Sequence, residues 1–238
     1  SYPQGGKPRP TAALAQLHGV DARRIVVGNG SDEIIDLLIR ILAEPGVHNL
    51  VCFEPCFSIY PIQGRICGVE VRRHPLNTDF SFDFDGLLSK VDANTRLVFI
   101  TTPDNPSGYC PPRGEVAQLA AKLAQIAPAC LLVVDEAYMD FAESEPDSSL
   151  LASGELPENT AFMRTFSKSF GLAGMRVGYG ILPDHLADFV WRARLPFSVN
   201  ILAEEAALAA LADDTLYKAT QDAVRTGRKE LFAGLTAL

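Results

Sequence analysis

The segment Thr165-Phe-Ser-Lys-Ser-Phe-Gly-Leu-Ala-Gly-Met-Arg176 brings hydroxyls, one amine, small residues and one guanidinium into a short span. Lys168 at its centre can form a Schiff base with a carbonyl cofactor, while Thr165, Ser167 and Arg176 can hold a phosphate beside it. The alternative is a solvated loop lysine, the ordinary fate of an isolated Lys. Three other segments bear on that choice.

Cys130-Leu-Leu-Val-Val-Asp135-Glu-Ala-Tyr138 is an apolar strand that delivers a carboxylate at its end and a phenol three residues later. An acid leaving such a strand needs a partner. If the partner is a pyridine nitrogen, Asp135 keeps it protonated and the ring becomes an electron sink, with Tyr138 and Asn105 hydrogen-bonding a ring hydroxyl. A helix-capping aspartate is the competing reading. Thr101-Thr-Pro-Asp-Asn105-Pro-Ser-Gly108 follows the strand Leu97-Val-Phe-Ile100. Its prolines and glycine fix a rigid turn that either aims the Asn105 amide or is an ordinary Asn-Pro turn. Gly28-Asn-Gly-Ser-Asp-Glu33 lets the backbone bend and sets the open N–H groups and positive dipole end of a following helix where an anion can sit. A dinucleotide fingerprint requires a third glycine where Glu33 stands, so that reading fails.

These segments need a scaffold. Ala13, Leu14 and Leu17 predict a short helix from Thr11, Ile25–Val27 a strand, and Ile34, Ile35, Leu37, Leu38, Ile41 and Leu42 a helix ended by Pro45-Gly46. Further strands are expected at Leu50–Phe53, Val69–Val71, Leu97–Thr101, Leu131–Val134, Ala161–Met163 and Val177–Ile181, with helices between several of them, notably Glu115 to Ala127. Such alternation predicts an α/β fold with a mostly parallel sheet sandwiched by helices, whose ligands collect at the carboxyl ends of the strands. From Asp184 the pattern is helix after helix, including Ala203 to Leu211 and a long helix from Leu216 that leaves the sheet domain. Glu143-Ser-Glu145-Pro-Asp147 reads as a solvated acidic loop without a functional part.

Composition bounds the function. A chain of 238 residues that is 47% hydrophobic and 21% charged can bury a large core, and no run of eighteen apolar residues exists to span a bilayer, so a soluble protein is expected. The net charge of −8 argues against nucleic acid and anionic membranes as partners. Five cysteines, an odd number without a C-x-x-C pair or a secretory signal, fit a reducing cytoplasm. Cys52 and Cys56 are read as structural thiols and not metal ligands, because His18, His48, His74 and His185 are scattered. The first and last residues predict a chain incomplete at both ends.

In this order and at these separations, the four segments resemble fold-type I pyridoxal-phosphate enzymes of the class I/II aminotransferase group. Within it, Tyr2-Pro3, Asn29-Gly-Ser-Asp-Glu-Ile-Ile35, Asp135-Glu-Ala-Tyr-Met-Asp-Phe141, Arg164-Thr-Phe-Ser-Lys-Ser-Phe170 and Arg194-Leu-Pro-Phe-Ser-Val199 resemble histidinol-phosphate aminotransferases over essentially the whole chain. The resemblance implies Lys168 as the Schiff-base lysine of pyridoxal 5'-phosphate, Asp135 as partner of the ring nitrogen, and Asn105 and Tyr138 as partners of the ring hydroxyl. Phe57 matches the aromatic stacked on the ring. Ser31 and Asp32 match the loop whose backbone binds the cofactor phosphate, Thr165, Ser167 and Arg176 close around it, and Tyr2 reaches the phosphate of a neighbouring subunit in a homodimer. Asp104, Ser107 and Cys56 depart from the group's usual asparagine, threonine and threonine.

The resemblance divides the chain into an N-terminal arm and helix at a dimer interface (1–20), a cofactor-binding large domain (21–215) and an interdomain helix (216–238) that begins a smaller C-terminal α+β domain, where the substrate-binding arginines are expected. The reaction implied is transamination between histidinol phosphate and 2-oxoglutarate, giving glutamate, in histidine biosynthesis. Rival readings are a threonine-phosphate decarboxylase-like enzyme of cobalamin synthesis, an aminotransferase for aromatic or other amino acids, and a catalytically silent module that kept the fold.

Overall fold

The computed structural model describes residues 6–237. In chain order the elements are α1 (Pro10–His18), β1 (Ile25–Asn29), α2 (Ser31–Leu42), β2 (Asn49–Glu54), α3 (Ile59–Ile66), β3 (Glu70–Pro75), α4 (Phe84–Leu88), β4 (Thr95–Thr101) and α5 (Arg113–Ile126). There follow β5 (Leu131–Asp135), α6 (Glu145–Ser148), α7 (Leu150–Ser153), β6 (Thr160–Thr165), β7 (Val177–Ile181), α8 (Asp184–Ala193), α9 (Ile201–Ala212) and α10 (Thr215–Thr236).

The strands form one seven-stranded sheet in the order β1-β7-β6-β5-β4-β2-β3. Pairing is parallel from β3 through β6, while β7 runs antiparallel to both β6 and β1. The mostly parallel sheet expected from the apolar runs is therefore present, with one reversed strand that hydropathy alone does not reveal. Because two reversals cancel, β1 points the same way as β4, β5 and β6, and its end at Asn29 shares a rim with theirs. Register places Thr101 beside Asp135, Thr165 beside Gly178 and Asn29 beside Val177, so the chain segments that leave or enter at these residues meet along that rim.

Alternation along the strands divides the core in two. In β5, Leu132 and Val134 pack with Leu119 and Leu123 of α5 on one face, whereas Leu131 and Val133 pack with Ile34, Ile35 and Leu38 of α2 on the other. Both faces are covered, which is why these strands carry continuous Val and Leu instead of an apolar-polar alternation. Each fully buried aliphatic side chain of this kind stabilises the fold by about 1.5–3 kcal/mol. α10 has no buried residue and meets the rest of the chain through Tyr217, stacked on Phe170 at 4.8 Å, and through Gln221, whose amide donates to the Asp140 carbonyl at 2.7 Å.

One expectation is corrected. The acidic stretch 143–147 runs into the single-turn helix α6, and Glu145 is an acceptor for buried Arg164 at 2.7 Å, so the segment is tied into the core instead of standing free in water.

Candidate active site

Asp135 is the last residue of β5 and is 2% exposed. Its Oδ1 accepts from the Ala137 N–H at 3.1 Å and its Oδ2 from the Tyr60 hydroxyl at 2.8 Å. The capping role weighed from sequence accounts for the first of these bonds, in a turn and not at a helix start. Burial pushes the carboxyl up to about 6, and the charge of Asp32 acts in the same direction. The Tyr60 and Ala137 bonds and the charge of Lys168 oppose that rise. At neutral pH the group is therefore mostly ionised, a buried negative charge with acceptor capacity to spare.

Lys168 lies on the eleven-residue connection 166–176 between β6 and β7. It is exposed, as a solvated loop lysine would be, yet its ammonium stands 5.0 Å from the Tyr138 ring centroid and lines the same cleft as Asp135. Asn105 reaches the same phenol, its Nδ2 lying 3.5 Å from the Tyr138 oxygen, at the outer limit of a hydrogen bond. The turn carrying Asn105 is locked from within. Asp104 Oδ2 accepts from the Ser107 hydroxyl at 2.6 Å and from its N–H at 3.2 Å, so the two departures from the group's usual residues at this turn are partners of each other. Burial pushes the Asp104 carboxyl up.

Another part of the cleft's lining suits an anion. α2 begins at Ser31 after Gly30, whose φ is 73° and which, having no side chain, gives no side-chain cap to the first N–H groups of this twelve-residue helix. Glu33, where a dinucleotide site would need glycine, accepts from the Asn29 N–H at 2.6 Å and closes the loop. Arg176 also has a positive φ, 56°, and its carbonyl accepts from the Gly30 N–H at 3.0 Å. Its guanidinium pairs with Asp32 at 3.0 Å. A Cβ at Gly178 of β7 would lie 2.4 Å from the Ser31 nitrogen, so only glycine allows this strand to approach the loop so closely. Thr165 and Ser167 complete the rim, the Ser167 N–H donating to the Thr165 hydroxyl at 3.1 Å.

One cleft of about 490 Å³ is lined by Ser31, Asp32, Phe57, Asn105, Asp135, Tyr138, Thr165, Ser167, Lys168 and Arg176 together. These are all the candidate residues read from the sequence except Tyr2, which lies outside the described residues. A buried acceptor, an amine, and a helix N-terminus with a guanidinium, all lining one cleft, fit a small molecule that carries a basic ring nitrogen and an anionic arm. Pyridoxal phosphate carries those groups.

Two groups were not singled out from sequence. Tyr60 and Thr101 stand behind Asp135, their oxygens 2.8 Å apart. Beneath the Lys168 segment, Arg164 is 5% exposed and donates to Glu136 at 2.8 Å, to Asp140 at 3.2 Å and to Glu145 at 2.7 Å. Glu136 also accepts from Ser149 at 2.7 Å, and Asp140 accepts from Ser169, next to Lys168, and from Tyr217 at 3.2 Å. An Arg inside a strand and a Glu following Asp135 were the available signals, since buried charges require partners.

A family profile described as aminotransferase class I and II matches residues 1–238. The chain is 56% identical over 237 residues to a histidinol-phosphate aminotransferase of Nitratidesulfovibrio vulgaris, covering 100% of this chain and 63% of that protein. It is 54% identical over 235 residues to the histidinol-phosphate aminotransferase of Oleidesulfovibrio alaskensis, covering 99% of this chain and 61% of the relative. The chain thus spans 63% and 61% of the length of these relatives. The crystal structure of histidinol-phosphate aminotransferase from Sinorhizobium meliloti in complex with pyridoxal-5'-phosphate superposes with a TM-score of 0.85 at 29% identity, over 93% of this chain and 59% of that one.

Proposed function

Since the chain belongs to the class I and II aminotransferase family, we propose that its cleft binds pyridoxal 5'-phosphate and exchanges amino groups between histidinol phosphate and 2-oxoglutarate. The observation that carries this reading is the convergence of Lys168, Asp135, Asn105, Tyr138 and Arg176, from distant parts of the chain, on one cleft. The relatives' names supply the donor. The acceptor, 2-oxoglutarate, follows from the resemblance, as does the place in histidine biosynthesis.

When bound, pyridoxal phosphate supplies an aldehyde for the Lys168 amine and a ring that draws electron density from the substrate carbon. The chain's own residues do the rest. Lys168 would tether the cofactor and, as a free amine, would be the general base that takes the substrate Cα proton and returns it. Asp135 holds a proton on the ring nitrogen at the dry end, where a charge-assisted bond is strong. Asn105 and Tyr138 hold the ring hydroxyl, and Phe57 covers one ring face. The Ser31 and Asp32 backbone, Thr165, Ser167 and Arg176 hold the phosphate.

The same reading makes the enzyme a cytoplasmic homodimer in which Tyr2 reaches the partner subunit's phosphate site. Residues 1–20 form the interface arm, 21–215 the cofactor domain and 216–238 the helix into a smaller domain. Among the described residues no helix is long and apolar enough to cross a membrane, and five cysteines are free, which supports the location.

Reconstitution of the full-length protein with pyridoxal phosphate, borohydride reduction and peptide mass analysis test the tether directly. An adduct on Lys168, absent in Lys168→Ala, together with keto product from histidinol phosphate and 2-oxoglutarate, is the expected result. No adduct at Lys168 overturns the cofactor assignment. Carbon dioxide release from threonine phosphate, without transamination, would move the chain to the decarboxylase reading.

A further inference from the structure

The carboxylate at the dry end of the cleft is held by a phenol from a distant helix. Tyr60 of α3 is 1% exposed, stacked on Phe99 with centroids 4.6 Å apart and met edge-on by Phe57 at 5.6 Å, so its ring direction is fixed by packing. Its hydroxyl has Asp135 Oδ2 and Thr101 Oγ1 each at 2.8 Å. An ionised carboxylate can only accept, so the phenolic proton points to Asp135 and the Thr101 hydroxyl donates to the Tyr60 oxygen. The result is a directed chain, Thr101 to Tyr60 to Asp135, whose members are 3%, 1% and 2% exposed. Asp135 Oδ1 is occupied separately by the Ala137 N–H. Rotating the carboxylate would break bonds to two different elements at once, while each oxygen keeps a second acceptor position.

We propose that Tyr60 is a positioning residue for the cofactor chemistry, fixing the plane and the ionised state of the carboxylate that faces the ring nitrogen, with Thr101 setting the direction of its proton. The proposal rests on the pyridoxal-phosphate reading of the cleft. The charged groups facing Asp135 are Asp32 from α2, which opposes ionisation, and Lys168 from the β6–β7 connection, which favours it; Cys56 faces Tyr60 from the turn before α3. Burial keeps the phenol itself protonated, so it remains a donor. With the Asp135 carboxyl already at about 6, losing a bond to its charged form raises it by roughly one pH unit or more, which takes it to neutrality. A protonated acid there is a donor and no longer holds the ring nitrogen's proton.

Tyr60→Phe keeps the ring and removes the hydroxyl; Thr101→Val removes the next donor in the chain. In the full-length protein without cofactor, the Asp135 13Cγ titration, assigned by its loss in Asp135→Asn, is expected to move up by roughly one pH unit or more in Tyr60→Phe and by less, in the same direction, in Thr101→Val. In the loaded enzyme, kcat falls on the order of 10–100-fold, the acid limb of its pH profile moves up with the titration, and KM for the donor stays unchanged. An unmoved Asp135 midpoint in a Tyr60→Phe protein that melts like wild type overturns the proposal. If Tyr60→Phe does not fold, a Thr101→Val midpoint that is unmoved or lowered overturns it equally. The titration needs no cofactor, so failure of the cofactor assignment shows itself separately, as a missing adduct on Lys168.

Discussion

Replacing Arg164 by methionine removes a guanidinium shared by Glu136, Asp140 and Glu145 while leaving a long apolar side chain in the core. Glu136 Oε2 accepts from Nε at 2.8 Å and from Nη2 at 2.7 Å, and its side chain is 0% exposed. Its other oxygen has the Ser149 hydroxyl. Burial already pushes this carboxyl up, and the Arg164 charge is the main force against that rise. Without it, a buried acid keeps one neutral partner, and breaking a buried pair from one side costs about 3–5 kcal/mol. Asp140 and Glu145 are better hydrated, at 12% and 38% exposed, and add little. For a chain of this size the loss lowers Tm by roughly 6–20 °C. The pH dependence has a definite sign. In the variant the native Glu136 holds its proton to higher pH than the unfolded chain does, so stability falls as pH rises through that window, and the penalty fades below it. Calorimetry of the full chain at neutral pH and near ~pH 5 should show the larger deficit at neutral pH, and Arg164→Met with Glu136→Leu should recover most of it. A drop in Tm of less than about 3 °C, or a deficit that grows on acidification, refutes the reasoning.

The remaining predictions concern the anion end and the helix that flanks the sheet. Gly178→Ala would set a methyl 2.4 Å from the Ser31 nitrogen, and overpacking of about 1–3 kcal/mol should weaken pyridoxal phosphate binding on the order of tenfold in an equilibrium titration. Gly174→Ala, whose Cβ would meet nothing within 4 Å, should bind as wild type; equal affinities in the two variants would sink the close-approach argument. Burial, then the charge of Arg164, pushes the His18 imidazole from 6.5 down to about 4, beside the Tyr179 hydroxyl at 2.9 Å. The unfolded chain therefore binds the extra proton first, and stability is lost as pH falls from 6.5 toward about 4. His18→Asn should flatten denaturant midpoints across that window, and an unchanged slope would assign the acid sensitivity elsewhere.

The strands were legible because each is a short apolar run between turn residues, and the rim residues because polar groups at the ends of such runs have nothing local to satisfy them. Strand direction was not legible: Val177–Ile181 is buried on both faces whichever way it runs, so hydropathy could not show that β7 is reversed. Helix α3 escaped because it is eight residues long and carries Pro61 and Gly64, which read as turn signals. Tyr60 escaped with it. Its hydroxyl meets a residue 75 positions away, a contact that no spacing rule encodes. The Arg164 cluster is similar, since its acids come from 136, 140 and 145, of which the last was read as solvated loop.

Surface loops ordinarily tolerate insertion and deletion. The connection 166–176 is an exception that follows from the reversed strand, because an antiparallel return needs no crossover helix and puts Lys168 and Arg176 on one continuous stretch of chain. That stretch is cross-tied by Leu172 N–H to the Phe166 carbonyl at 2.9 Å, Gly171 N–H to the Lys168 carbonyl at 3.0 Å and Gly30 N–H to the Arg176 carbonyl at 3.0 Å. A single added or missing residue there would displace the tethering amine and the guanidinium in one stroke, whereas an equivalent lesion after β4 or β5 would spoil one contact and leave the others in place. Mutational vulnerability is thus concentrated in one link of the site.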